Sequence, residues 1–317
     1  MDDRCPRLAG GNDYEDLRVD LPAAYALQDA WLSTMPRRSH SRPAAINLLR
    51  FWGAALLQKS KRLEALAMTG VARAWFDEFN AYWENCLGGR PLNVADFHAL
   101  RHAYRVRFQR RDEFKWGDAA QHVVNWQAPA NIYSTLSYVY GLAVRPLRGH
   151  RLLAKLKPGM RVLEYGCSLA PYYRNWRDYY SHVRASWVLM DIANFPFHYA
   201  RYAYAQDAAV ENMAVIPPEC LDVPLDGMGM FDVIVITTVF EHLHKPLTVA
   251  KHLLEHLNRG GMFVFDYILS DAEDLDTPMG LLERNATLQF LKDVLVIEEG
   301  DMSRLEGSVG LCIGRKR

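Results

Sequence analysis

The spacing of apolar positions changes character near the middle of this chain. From about Leu21 to Trp116 apolar residues recur every three or four positions, and only helices are predicted. In the segment 93–108, Val94, Phe97, Leu100, Tyr104 and Phe108 follow that spacing, with Asn93 placed as an N-cap and Asp96 three residues on. Segments 44–68 and 71–86 read as helices by pattern and by their Ala, Leu, Glu and Lys content. Leu87-Gly-Gly-Arg-Pro breaks the second of them. Further helical stretches are predicted over about 131–143 and 148–156. Beyond these the rhythm turns to short, dense apolar runs: Met160–Tyr165, Ser186–Asp191, Phe231–Ile236 and Met262–Ile268. Such runs suit strands buried on both faces. Between the last two, Leu247, Ala250, Leu253, Leu254 and Leu257 keep helical spacing, and Asn258-Arg-Gly-Gly is expected to stop that helix. Thr277–Asp293 reads as a helix, and strands are expected from Val294 and from Val309. The fold class predicted is α/β, a doubly wound, mostly parallel sheet in residues 136–317. A helical region in residues 1–135 precedes it, its first 20 residues charged and loosely ordered.

Charge and cysteine content narrow the function classes. Thirty-seven Lys and Arg balance 37 Asp and Glu, so there is no global pull toward nucleic acid or anionic membrane. The five cysteines (Cys5, Cys86, Cys167, Cys220, Cys312) contain no Cys-x-x-Cys pair. That argues against a disulfide framework or a zinc site and fits a reducing compartment. No signal-peptide core is visible, and no apolar run reaches the ~18–20 residues that span a bilayer. A soluble, cytoplasmic protein is expected, with no membrane partner.

The candidate chemistry begins at Gly166, directly after the first strand. A residue without Cβ there permits a sharp turn and close approach of the backbone to a ligand. Asp191 lies 25 residues later at the end of the second run, where a nucleoside-binding sheet places a carboxylate on ribose hydroxyls. Leu156-Lys-Pro-Gly-Met-Arg-Val-Leu-Glu-Tyr-Gly-Cys, Phe231-Asp-Val-Ile, and Glu241-His242-Leu243 followed by Pro246 and Leu257-Asn-Arg-Gly-Gly occur in that order. Together these resemble the motifs of the class I S-adenosylmethionine-dependent methyltransferases over roughly residues 140–317. The resemblance implies a Rossmann-like sheet of seven strands whose last strand is antiparallel, a hairpin that an ordinary dinucleotide fold lacks. Ser168 and Ala170 stand where glycines are common, a departure that weakens a phosphate-cradling or nicotinamide reading.

The same resemblance implies a set of site residues. Gly166 would face the methionine part of S-adenosylmethionine, with Tyr165, Cys167 and Ser168 completing the turn. Glu164 would order the amino-acid end, or else hydrogen-bond nearby backbone amides. Asp191, with Ile192 beside it, would accept both ribose hydroxyls; the alternative is a helix N-cap. Glu219 aligns with the acidic residue near the adenine amino group and Cys220 with the ring face, while Asp222 competes for the first role. Thr237 and Thr238 would line the pocket between donor and acceptor. His242 and His244 are the titratable pair placed to take a proton from an acceptor hydroxyl or ammonium, against a packing role. No metal is expected, since Thr238 replaces the first glutamate of a Glu-x-x-Glu-His pattern.

The aromatic-rich segments Tyr172–Tyr180 and Phe195–Tyr204, with Tyr133, Tyr138 and Tyr140, could wall a small acceptor, although core packing accounts for most of them. Arg101, Arg105, Arg107, Arg110, Arg111 and Lys115 could follow phosphates, or form a solvated helix face. The function expected is methyl transfer to an oxygen or nitrogen of a small molecule, S-adenosylhomocysteine being the product. An RNA or tRNA methyltransferase and a non-catalytic binding protein of the same fold are the alternatives. A homodimer is the assembly left open.

Overall fold

A computed structural model describes residues 21–34, 74–87, 91–92, 96, 99–100, 117–127, 135, 138–139, 149–269, 276–303 and 306–317. The chain divides into two compact units. One comprises Met1–Asp2, Asp13–Phe108 and Ile132–Pro146; the other comprises Asp3–Asn12, Gln109–Asn131 and Leu147–Arg317. Residues 132–146 therefore group with the first unit and 109–131 with the second, a more interleaved division than a single cut at 135.

In the first unit the described helices are α1 (Leu21–Thr34) and α2 (Ala74–Leu87). Phe76, Phe79, Tyr82 and Trp83 of α2 are buried, at the three- and four-residue spacing of one helix face. The Asn80 amide ties down the chain after the Gly-Gly break: it donates to Leu92 O at 3.0 Å and accepts from Leu92 N at 2.9 Å. The predicted helix 44–68, most of 93–108 and 131–143, and the six basic residues from Arg101 to Lys115 lie outside the described residues. Cys86 is disulfide-bonded, whereas Cys167, Cys220 and Cys312 are free. One bridge is not a framework, but the cysteines no longer speak for a reducing compartment.

The second unit holds α3 (Ala119–Gln127) and a seven-stranded sheet. Its strands are β1 (Arg161–Tyr165), β2 (Ser186–Ile192), β3 (Val210–Ile216), β4 (Phe231–Ile236), β5 (Leu257–Tyr267), β6 (Leu295–Glu299) and β7 (Val309–Lys316), in the order β3-β2-β1-β4-β5-β7-β6. Neighbours are parallel from β3 through β5, and β7 runs antiparallel to both β5 and β6. The helices are α4 (His150–Leu153), α5 (Pro171–Asn175) running into a π-helical turn at Trp176–Tyr180, α6 (Phe195–Tyr204), α7 (Pro246–Glu255) and α8 (Pro278–Val294). Among the described residues no helix is long and apolar enough to cross a membrane.

Alternation along β1 sets the two cores. Val162 joins Trp187, Leu189, Tyr172, Tyr173, Trp176, Phe197 and Tyr204 on one face. Leu163 and Tyr165 join Val188, Ile234, Leu253 and Leu288 on the other. The dense aromatic segments after β1 and β2 thus mostly supply core. One sequence expectation fails: Asn258-Arg-Gly-Gly does not stop α7. That helix ends at Glu255, and Leu257 already pairs with Phe231 in β5. The register then jumps to Val233 opposite Met262, so the two glycines form a bulge inside the strand. Lys316 Nζ meets a carbonyl from the end of α7, Leu254 O at 2.6 Å, and one from the start of β5, Leu257 O at 2.8 Å.

Candidate active site

The strand order reverses between β1 and β4, which opens a crevice at the carboxyl ends of the parallel strands, where ligands bind in such sheets. At the end of β1, Gly166 has φ +62°, and a Cβ there would stand 2.4 Å from Val239 Cγ2. Glycine is required twice over, by its backbone conformation and by the valine of the β4 loop packed against it. Ser168 and Ala170 also adopt left-handed backbone, at φ +51° and +50°. Tyr165 and Cys167 send their side chains into opposite cores, so only their backbone faces the crevice edge.

Glu164 is buried, and its two oxygens accept the amides of Tyr172 (3.1 Å) and Tyr173 (2.9 Å). These amides belong to the first turn of α5, where N–H groups have no acceptor within the helix, and the N-cap residue Ala170 offers no side-chain oxygen. The backbone-anchoring alternative for Glu164 is the one this geometry displays.

Asp191 closes the β2 end and joins two turns. Its Oδ2 accepts Ser168 N at 2.6 Å, while Oδ1 accepts Ile192 N at 2.7 Å and Asn194 Nδ2 at 3.0 Å. Burial pushes its carboxyl up to about 7, against the pull of those three hydrogen bonds. Asn194, not Asp191, caps α6, its side chain accepting Phe197 N at 2.8 Å. Three donors fill three of the roughly four acceptor positions of a carboxylate, so one position on Oδ2 remains for a ligand.

On the β4 side, Thr237 is half-buried and Thr238 exposed. Thr238 has φ +57°, held by its amide donating to Asp266 Oδ1 at 2.5 Å from the end of β5. Left-handed backbone at a β-branched residue is strained and gathers at functional loops. Thr238→Gly is therefore expected to raise thermal stability, by about 1 kcal/mol once glycine's extra unfolded-state entropy is deducted. Chemical denaturation of the variant checks this.

Next in the chain, the 3-10 turn Phe240–His242 carries Glu241, fully buried, and His242, largely buried. The His242 ring meets Trp126 of α3 edge-on at 5.3 Å, and α3 also lies against the short turn Pro218–Cys220. Within this unit α3 therefore spans from the turn proposed for adenine to the histidine. His244 has its ordinary pKa lowered by burial, with Asp118, Asp222 and Lys245 around it. Glu219 is exposed, and Cys220 packs against the sheet core. Asp222 pairs with Lys245 Nζ at 2.5 Å at the surface. Ile192 is half-buried against the same core. Among the described residues no group of three His, Cys, Asp or Glu side chains could hold a metal ion.

Sequence reasoning missed Trp126, Val239, Asn194 and Asp266 as parts of this site. Only Asn194, two residues ahead of Pro196 and next to an apolar helix start, carried a local signal.

The sheet order, with its antiparallel β7 inserted between β5 and β6, defines the Rossmann-like fold of the class I S-adenosylmethionine-dependent methyltransferases. Residues 140–293 match the family model described as a methyltransferase domain. Among solved structures, an O-methyltransferase family protein from Burkholderia thailandensis is 12% identical, over 87% of this chain and 99% of that one, with a TM-score of 0.47. The N-methyltransferase NodS from Bradyrhizobium japonicum WM9 is 17% identical, over 53% of this chain and 93% of that one, with a TM-score of 0.38. Likenesses this distant say nothing of the acceptor. No curated protein matches the chain in sequence.

Proposed function

We propose that this protein is an S-adenosylmethionine-dependent methyltransferase acting on an oxygen or nitrogen of a small molecule. The observation that carries the reading is Asp191, a buried carboxylate at the end of β2 whose remaining acceptor position adjoins the Gly166 turn. Desolvating a carboxylate is costly, and a ribose hydroxyl donating to Oδ2 offsets that cost. One hydroxyl fits without displacing a protein donor, rather than the two expected from sequence. Gly166 and Ser168 offer backbone to the amino-acid end, and Glu219 lies at the adenine side.

When bound, S-adenosylmethionine supplies a methyl group activated by positively charged sulfur. The protein's own share is alignment of the acceptor, which can provide most of the acceleration. His242, held between Trp126 and Glu241, takes the acceptor proton. Nothing among the described residues favours an RNA substrate or a non-catalytic role.

The reading has a pH signature. A hydroxyl donor favours ionised Asp191, so binding lowers its pKa from about 7. Affinity is then expected to rise with pH, by at most about tenfold per unit, and to level off above pH 7. Calorimetric titration of S-adenosylmethionine from pH 5.5 to 8.5 reads this directly. A flat profile from wild type would exclude Asp191 as a ligand group, and Asp191→Asn is expected to abolish the slope.

A further inference from the structure

The turn after β4 buries a carboxyl group that no described side chain hydrogen-bonds. Glu241 is wholly inaccessible, and among the described residues its oxygens meet no side-chain hydrogen-bond donor, only the pull of the backbone amides of Glu241 and Ile268. The turn is also clamped from α8. Thr277 N donates to Glu241 O at 2.9 Å, Thr277 Oγ1 donates to Leu243 O at 2.7 Å, and a Cβ on Gly280 would come within 2.5 Å of Glu241 O. The backbone therefore cannot swing to release the carboxyl to water. In this fixed position Glu241 Oε1 lies 3.8 Å from His242 Nε2, on a ring buttressed by Trp126.

We propose that Glu241 is a positioning residue for His242, holding the imidazole in place and, in its ionised form, balancing the charge gained with the acceptor's proton. The proposal rests on the function given above. The proton that an acceptor hydroxyl or ammonium loses on methylation passes to His242 and from there to solvent, and Glu241 ends each turnover as it began. A carboxyl used only for packing would be the costliest choice for this place, because an isosteric apolar or amide side chain avoids its desolvation. An imidazolium 3.8 Å away gives it the charged partner that the two backbone amides do not supply.

Among the described residues, few charged and titratable groups face Glu241. They are His242 on its own turn, Asp266 and Tyr267 from β5, and Asp276 just ahead of α8; Arg284 of α8 lies over the Tyr267 ring. Asp266 already accepts the Thr238 amide. Burial first, then the nearby Asp266 and Asp276, push Glu241 up to about 8, with the backbone amides of Glu241 and Ile268 pulling the other way. A carboxyl that titrates there and touches His242 makes the two titrations interdependent.

The test needs no acceptor. Ring-labelled histidine NMR follows His242, assigned by its loss in His242→Gln, from pH 5 to 9.5 in wild type and Glu241→Gln. In wild type the ring signal is expected to show a second step near pH 8 that is absent from Glu241→Gln. Affinity for S-adenosylmethionine, measured on the same samples, is expected to be unchanged. Should Glu241→Gln not fold, Glu241→Asp draws the carboxyl back by one methylene and is expected to give an intermediate profile. Identical His242 titrations in wild type and the folded variant overturn the positioning role. Loss of coupling alongside failure of wild type to bind S-adenosylmethionine overturns the methyltransferase reading instead, and the role with it.

Discussion

Asp191→Ala is expected to lower affinity for S-adenosylmethionine by about 100-fold, since a hydrogen bond to a charged acceptor is worth about 1.5–3 kcal/mol and each 1.4 kcal/mol is tenfold. The effect has two parts. One is the ribose hydroxyl that loses its acceptor; the other is the turn itself, because Ser168 N, Ile192 N and Asn194 Nδ2 all lose theirs. The alanine variant is thus expected to melt lower as well, and Asp191→Asn separates the two parts. An asparagine oxygen can keep Ile192 N and Asn194 Nδ2, but its amide then faces Ser168 N donor to donor. Calorimetry on folded samples reads the affinity, and wild-type affinity in either variant would remove Asp191 from the ligand site.

Gly166→Ala is expected to cost about 2–5 kcal/mol. About 1–2 of this comes from left-handed backbone at a residue with Cβ, and about 1–3 from displacing Val239. In a domain of this size that is a fall in melting temperature of about 5–15 °C. Adding Val239→Ala is expected to return the steric part and leave the backbone part. Unaltered melting of Gly166→Ala would show that the β1 and β4 loops are not packed as described. Because those loops flank the crevice, loss of ligand affinity should accompany the loss of stability.

Much of the sheet was legible because β1, β2 and β4 are buried on both faces and so appear as unbroken apolar runs. β3 escaped notice: as an edge strand it exposes Glu211 and Asn212, and no dense run survives. The early start of β5 was hidden because Asn-Arg-Gly-Gly signals a helix end as well as it signals a bulge. Gly166 and Asp191 could be found from spacing, since strand ends converge on one sheet edge whatever the loops do. What spacing could not give was how the edge is wired. That Glu164 caps α5, that Asp191 spends three acceptor positions on the protein, and that Thr238 is left-handed all depend on loop geometry without a sequence period. Trp126 reaches His242 across more than a hundred residues, a contact no local pattern announces.

The stability of the buried acids carries its own sign. Glu241 and Asp191 have folded-state pKa values raised to about 8 and about 7. Each therefore binds its proton more tightly folded than unfolded, and stability falls as pH rises from the ordinary carboxylate range through those values. Glu241→Gln is expected to flatten that fall, seen as a melting temperature at pH 8 equal to or above that of wild type. A lower one would mean that the pull of the Glu241 and Ile268 amides outweighs the cost of burial.

The most direct measurement is calorimetric titration of S-adenosylmethionine and S-adenosylhomocysteine into the purified protein, with NAD and NADP alongside. Saturable binding of the two sulfur nucleosides, and not of the nicotinamide dinucleotides, is the result predicted by a single Asp191 acceptor beside a glycine-poor turn. Binding of NAD or NADP alone, or of none of the four, would contradict it.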